Sequence, residues 1–327
     1  MNVKALVRTV NHTLKSHNLF PENSRILVAC SGGPDSMALL HLLKDIAIHR
    51  HTTYEIGVAI VDHCIRPESK EEVLWLQHQV EALGLPFYSA TFDVPRLSKE
   101  QKMSEETMGR QVRYQWLTEV AKSENYDYIS VAHHKDDQAE SILAHIIRGS
   151  GLNGLTGMSV VQSEYAIPVV RPLLDVTKEN LLAYIGTKHI SYCVDSTNED
   201  VRYQRNRIRH RIIPELEAVN PAVVDAIVRL GSSVNEDVMV ISDLTSRTFD
   251  KLVSIDDDEV RISRRALRQE PLAIQRRLWQ RLVSTIDSDL TLTSAHQEQL
   301  LDIVNTGEKK TFTIKSIKVI AQCDTIK

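Results

Sequence analysis

A basic excess is missing from this 327-residue sequence: 39 Lys and Arg stand against 43 Asp and Glu, a formal charge of -4. No global positive field therefore draws the chain to nucleic acid, and any such surface must be local. Cysteine is scarce. Cys30, Cys64, Cys193 and Cys323 are scattered without a CxxC pair, which argues against a zinc knot, an iron–sulfur cradle or a disulfide scaffold and leaves simple packing as the ordinary role of each. No uncharged apolar run approaches the roughly 20 residues needed to cross a bilayer. The opening stretch MNVKALVRTVNHTLKSHNLF spaces Val3, Leu6, Val7, Val10 and Leu14 as one face of a helix, without the continuous apolar region of a signal peptide. The expectation is a cytoplasmic protein with no membrane association. With 12 Gly and 10 Pro, collagen-like and low-complexity architectures are excluded. The 42% hydrophobic and 25% charged composition is that of a globular protein, long enough for two domains.

In the first half, short apolar runs alternate with helix-length segments. Arg25 to Cys30, Glu55 to Val61, Phe87 to Phe92 and Tyr128 to Ala132 read as strands, and ILVAC and GVAIV are nearly continuous apolar runs, as expected for parallel strands covered on both faces. The fold class predicted is α/β, a doubly wound parallel sheet of Rossmann-like type. In such a sheet chemistry gathers beyond the carboxyl ends of the strands, here after Cys30, Val61 and Ala132. After Arg171 the pattern changes: a helix is expected from Thr177 to Lys188, Pro214 punctuates the chain, and spacing is mainly helical to about Arg281 before TFTIKSIKVI alternates like a strand. A boundary is expected near residues 212–216, giving domains of 1–213 and 214–327, the second smaller and mainly helical.

The sharpest local signal is SGGPDS, Ser31 to Ser36, placed between a strand and a helix. Gly32 and Gly33 let backbone approach an anion, Pro34 suits an early helical position, the helix start presents free N–H groups, and Ser31 and Ser36 add hydroxyls. The GxxxxGK[ST] lysine is absent, which disfavours γ-phosphate chemistry. Gly149 to Gly154, GSGLNG, formally matches GxGxxG but follows a helical segment, so the context for a dinucleotide site fails. In HHKDDQAE, Asp137 and Glu140 lie three apart and share a helix face. His133 and His134 beside Asp136 and Asp137 also raise a metal site, against which stands the lack of further ligands at informative spacing. Asp62 follows the second strand, as an adenosine contact or a capping carboxylate. Arg113 fits a planar oxyanion or a plain helix surface. Two basic clusters qualify as RNA surfaces: Arg202, Arg205, Arg207, Arg209 and Arg211, and a second of Arg261, Arg264, Arg265, Arg268, Arg276, Arg277 and Arg281.

SGGPDS resembles the PP-loop of the N-type ATP pyrophosphatase superfamily. Together with DHCIRPES from Asp62, ETMGRQVRY from Glu106, AHHKDDQAES from Ala132, and DSTN from Asp195 followed by RNRIRHRIIPEL, it resembles the tRNA(Ile)-lysidine synthetase family from about Ser31 to Leu216. The resemblance implies a carbon–nitrogen ligase acting in tRNA modification. ATP would adenylate the wobble cytidine of tRNA(Ile) with a CAU anticodon, and the side-chain amine of L-lysine would then displace AMP. It implies ATP held by Ser31, Gly32, Gly33, Asp35, Ser36 and Asp62, with Mg²⁺ accompanying the nucleotide but no dedicated metal-ligand set. It assigns catalytic roles to Asp35, His133 and Asp137, lysine binding to Asp137 and Glu140, oxyanion pairing to Arg113, and tRNA contact to Arg205 and Arg207. A homodimer is compatible with it. Longer members carry a further C-terminal domain, whereas this sequence ends soon after TFTIKSIKVI. The competing readings are another PP-loop tRNA-modifying enzyme such as a thiolase, opposed by the missing paired cysteines, and a non-catalytic ATP-sensing module, opposed by HHKDDQAE.

Overall fold

The computed structural model describes residues 3–50, 52–66, 68–194, 204–256, 259–287, 290–306, 309–315, 317–322 and 324–327. The DSTN motif (195–198), Arg202 and Cys323 lie outside the described residues. The chain divides into two compact units, Met1–Ser232 and Ser233–Lys327.

In the first unit the chain runs α1 (Val3–Ser16), β1 (Arg25–Ala29), α2 (Pro34–Arg50), β2 (Glu55–Asp62), α3 (Ser69–Ala82), β3 (Phe87–Thr91), α4 (Val94–Gln101), α5 (Glu105–Ser123), β4 (Tyr128–Ser130), α6 (Lys135–Ile147), α7 (Leu152–Leu155), β5 (Val161–Gln162), β6 (Val169–Val170), α8 (Lys178–Lys188) and α9 (Gln204–Arg207). A π-helical turn over Ile208–Ile212 leads into α10 (Ile213–Val219) and the start of α11 (Val223–Leu252). The sheet order is β3-β2-β1-β4-β6-β5, parallel except for β5, which runs antiparallel to β6. Ile26, Leu27 and Val28 of β1 and Ile56 to Ile60 of β2 are all buried, as strands flanked by helices on both faces must be. α2 is buried nearly all round, through Met37, Leu39, Leu40, Leu42, Leu43 and Ile46, so it is a core helix rather than an amphipathic surface one.

The chain moves outward from β1 through β2 to β3, then returns to place β4 on the other side of β1. That reversal opens a crevice at the carboxyl ends of β1 and β4, where doubly wound sheets bind ligands. The residues following these two strands are SGGPDS and AHHKDD. Both are thus aimed into one crevice by topology alone.

The units divide inside α11, whereas the sequence reading places a boundary at 212–216. Pro214 sits in the first turn of α10, with Pro at N1/N2, where its missing N–H costs nothing. It therefore punctuates without ending the unit. The second unit carries more sheet than helical spacing suggested. β7 (Val253–Asp256), β8 (Glu259–Ser263), α12 (Arg264–Gln269), α13 (Leu272–Ile286), α14 (Ser294–Thr306), β9 (Lys310–Ile314), β10 (Ile317–Gln322) and β11 (Thr325–Ile326) build helices against an antiparallel sheet ordered β7-β8-β11-β10-β9. The β7–β8 hairpin is short and half-exposed, so it carries little apolar signal. TFTIKSIKVI forms the β9–β10 hairpin. Among the described residues no helix is long and apolar enough to cross a membrane.

Candidate active site at the sheet crevice

The loop after β1 is built around its own hydroxyls. Ser36 Oγ donates to the Gly33 carbonyl at 2.9 Å and accepts the Ser31 N–H at 3.2 Å, and the Gly33 N–H reaches Ser31 Oγ at 3.4 Å. Gly32 adopts φ +79°, a left-handed conformation that side chains with a Cβ resist. The turn thereby delivers the chain to the start of α2, whose first N–H groups have no helical partners and favour an anion.

Asp35, in the first turn of α2, faces the loop after β4. Its Oδ2 lies 3.4 Å from Lys178 Nζ and 3.6 Å from His134 Nε2, while Oδ1 is buried without a hydrogen-bond partner among the described residues. Burial favours the protonated carboxyl, but the charges of His134 and Lys178 outweigh it and hold Asp35 below its ordinary range. His134 is 1% exposed and sits among three carboxylates, with Asp136 Oδ2 at 3.3 Å and Asp137 Oδ2 at 3.5 Å besides Asp35. Burial opposes its charge, yet those contacts push its pKa up to about 9, so it is an imidazolium at neutral pH. Sequence spacing offers His134 no role beyond that of a candidate metal ligand. Its function as the cation linking α2 to α6 depends on the switch point, which brings residues about a hundred positions apart together.

Its neighbour is the opposite case. Burial and the charges of Arg171, Arg205 and Arg113 lower the pKa of His133 to about 3 against the pull of Asp137. Its Nδ1 lies 3.2 Å from Arg171 Nε, which donates to it; the neutral ring then carries its proton on Nε2. Arg171, 2% exposed, also donates to the Ser159 carbonyl and Gln162 Oε1.

Asp137 and Glu140 do share a face of α6, and both are buried, at 7% and 1% exposed. Asp137 Oδ2 accepts the His134 N–H at 2.9 Å, capping the helix. Two guanidinium groups clamp the pair. Arg205 reaches Glu140 at 2.9 Å and Asp137 at 2.8 Å; Arg209 reaches Glu140 at 2.6 and 3.0 Å and Asp137 at 3.1 Å. Burial alone would raise the Asp137 carboxyl, but the charges of His134 and Arg205 hold it low. The first basic cluster is therefore divided. Arg205 and Arg209 face the acidic pair, while Arg207 and Arg211 are exposed; helical spacing puts 205 and 209 four apart on one face and 207 off it.

Asp62, 4% exposed, accepts the Cys64 N–H at 2.9 Å, and this is the turn-capping arrangement, with Cys64 at φ +52°. Arg113 is more enclosed than a surface helix arginine: it lies 5.5 Å from the Tyr114 ring centre, burial lowers its pKa, and it helps burial push His63 down to about 4. A cavity of about 470 Å³ opens beside His133, lined also by Glu106, Arg110, Glu140, Arg171 and Arg205.

GSGLNG follows α6 and runs into the short α7, so its helical context holds. No group of three or more His, Cys, Asp or Glu side chains suited to a metal ion occurs among the described residues. In the second unit, Arg264 leaves the proposed basic surface. It is 4% exposed and donates to the Ile303 and Val304 carbonyls. Arg261 pairs with Glu259, Arg276 with Glu298, and Arg281 bonds Ser246 and covers the Phe249 ring. Arg265 and Arg268 remain exposed on α12.

A family profile described as the PP-loop domain matches residues 3–216. Curated proteins named tRNA(Ile)-lysidine synthase are similar to the chain. The one from Porphyromonas gingivalis is 37% identical over 227 residues, covering 69% of this chain and 48% of that protein. The one from Thermosipho africanus is 38% identical over 238 residues, covering 72% and 54%. The one from Bacillus subtilis is 31% identical over 305 residues, covering 92% and 64%. The chain thus spans about half the length of the first two. Among solved structures, the U34-tRNA thiolase NcsA from Methanococcus maripaludis with its [4Fe-4S] cluster aligns with a TM-score of 0.59 at 18% identity, covering 72% of this chain and 80% of that one, a likeness of fold. With the profile covering the whole crevice, from the loop after β1 to the arginines after α9, the chain belongs to the PP-loop domain family.

Proposed function

We propose that the chain is a carbon–nitrogen ligase of the tRNA(Ile)-lysidine synthase type, acting in the cytoplasm on tRNA(Ile) with a CAU anticodon, L-lysine and ATP. One observation carries the reading: a phosphate-cradling loop and a buried carboxylate pair open into the same crevice, joined through Asp35 and His134.

In the first step the ring carbonyl oxygen of the wobble cytidine attacks the α-phosphorus of ATP and pyrophosphate leaves. Gly32, Gly33, Ser31 and Ser36 supply the anion cradle, and the start of α2 adds its free N–H groups. The unpartnered, buried Oδ1 of Asp35 fits Mg²⁺, which takes one or two protein carboxylates and keeps several waters. Bound there with ATP, the ion would neutralise phosphate charge. His133, neutral with Nε2–H, donates towards the nucleotide without adding charge. Arg113, anchored beside Tyr114, pairs with an oxyanion of lysine or nucleotide.

In the second step the lysine amine attacks the ring carbon that bears the adenylated oxygen, the carbon–oxygen bond breaks, and AMP leaves with that oxygen. Asp137 and Glu140 bind the ammonium group where Arg205 and Arg209 now sit, so one guanidinium contact yields when lysine enters. With that guanidinium displaced, less positive charge holds the Asp137 carboxyl low, and Asp137 takes the proton that the ammonium loses as the amine attacks. Arg207 and Arg211, free of that acidic pair, are left for RNA phosphate.

The test is incorporation of labelled lysine into tRNA(Ile) with a CAU anticodon, with and without ATP, against a methionine tRNA control. ATP-dependent labelling of the isoleucine tRNA alone is expected. No labelling by folded protein that binds ATP would refute the reading.

A further inference from the structure

At the opposite, amino end of the same strands a second cavity, of about 950 Å³, opens between the end of α1, the turn into β1 and the end of α2. It lies before the amino ends of β1 and β2, so the five-residue length of β1 separates it from the PP-loop by on the order of 15 Å. The mechanism above uses none of its residues.

Its wall is cationic. Arg8, His12 and Lys15 project from α1 at i, i+4 and i+7, with Asn11 between them on the same face, while the core face carries Leu6, Val7, Val10 and Leu14. His49 and Arg50 come from the end of α2. Arg50 is held at the mouth, donating to Tyr54 Oη at 2.8 Å, and Tyr54 Oη in turn donates to the Phe20 carbonyl at 3.2 Å. Glu22 is the one acidic residue in the lining. The C-terminal ends of α1 and α2 each contribute about half a negative charge. Three permanent cations against Glu22 and the two helix ends still leave the cavity positive. Asn11 Oδ1 and Thr52 Oγ1, both on residues of the lining, are buried with no hydrogen-bond partner among the described residues. As acceptors they can take the hydroxyl or amino hydrogens of a ligand once their side chains turn towards the cavity, and the positive wall disfavours a cation there. Leu19, Phe20 and Pro21 supply an apolar floor.

Spacing selects the ligand. Arg8 and Lys15 are seven residues apart, about 10 Å along the helix axis, so two separate phosphates can meet them without either side chain folding back along the helix. We propose that this cavity binds a phosphodiester-linked RNA segment, with successive phosphates on Arg8 and on Lys15 with Arg50, and a ribose or base edge on Asn11 and Thr52. The choice of RNA as the polymer rests on the function proposed above; a free mononucleotide shares the phosphate chemistry, and the test separates the two.

The measurement is fluorescence anisotropy of a labelled anticodon stem-loop RNA with the full chain, over a salt series, for wild type and for the double variant Arg8→Gln/Lys15→Gln. Both positions are exposed, and an unchanged melting curve verifies the variant's fold. The expected result is about tenfold weaker binding at low salt and a salt slope shallower by between one and two, as loss of two phosphate contacts predicts. Photo-crosslinks from the bound RNA are expected in the peptides covering residues 8–22. AMP at a saturating level should leave these crosslinks in place. Wild-type affinity and slope in the variant would overturn the proposal, and so would loss of the crosslinks to AMP alone, which would assign the cavity to a free nucleotide. RNA binding is read without lysine or ATP. A failed lysine-incorporation assay with these results intact would therefore remove the proposed reaction and leave this site standing.

Discussion

Substituting Glu140 by Gln removes the centre of the double guanidinium clamp. Glu140 is 1% exposed and receives three N–H contacts, one from Arg205 and two from Arg209. Gln keeps one carbonyl oxygen and turns an NH₂ group towards a guanidinium, so at least one charge-assisted bond becomes a donor facing a donor. Breaking a fully buried pair by removing one partner costs about 3–5 kcal/mol. The guanidinium side chains here are 40% and 23% exposed, and water screens the charges left behind. The expected loss is then about 2 kcal/mol, or about 4–8 °C in the melting temperature of a unit this size. A thermodynamic cycle isolates the cause. Arg209→Met alone removes one cation, and in the double variant with Glu140→Gln that uncompensated charge is gone. The double variant should be more stable than the sum of the single losses by about 1 kcal/mol, measured by denaturant unfolding. Additive losses within about 0.5 kcal/mol would refute the clamp as an energetic unit.

Asp137→Asn should impair lysine transfer more than ATP binding, because the carboxylate faces Arg205 and Arg209 and not the PP-loop; undiminished lysine incorporation would remove Asp137 from the proposed role. In Gly32→Ala the new Cβ meets Trp75 at 3.5 Å, an ordinary contact, so the cost is the left-handed backbone, about 1–2 kcal/mol. Relaxing that strain turns the loop amides away, and ATP titration of the folded variant should show weakened binding; wild-type affinity would contradict the cradle. His133 should stay neutral across the physiological range, its pKa lowered to about 3. Since the unfolded imidazole takes up a proton below its ordinary 6.5 and the folded one does not until about pH 3, this residue subtracts stability progressively as pH falls between those values and adds no pH dependence above them. An imidazole NMR titration with a midpoint above pH 5 would overturn the assignment.

Much of the first unit was legible because its signals are local. ILVAC and GVAIV announce strands buried on both faces, and SGGPDS between a strand and a helix announces an anion site through glycine backbone freedom and free N–H groups, both properties of contiguous residues. Asp137 and Glu140 share a face because a helix fixes that spacing. The β7–β8 hairpin leaves little apolar signal because its strands are short and largely exposed, and Pro214 reads as a boundary because proline's tolerance in a first helical turn depends on where the helix starts.

Which charges meet was decided by tertiary structure. The sequence set out two adjacent histidines with the same chemistry, and only the crevice makes one an imidazolium among Asp35, Asp136 and Asp137 and the other a neutral ring on Arg171. It set out a row of arginines suited to RNA, and only the approach of the Gln204–Ile212 segment to α6 turns Arg205 and Arg209 onto Asp137 and Glu140 while Arg264 is buried against backbone carbonyls. Local backbone geometry and apolar patterning are written in neighbouring residues; the partner of a buried charge is chosen by strand order, which brings distant segments within a few ångströms and excludes the water that would otherwise screen them.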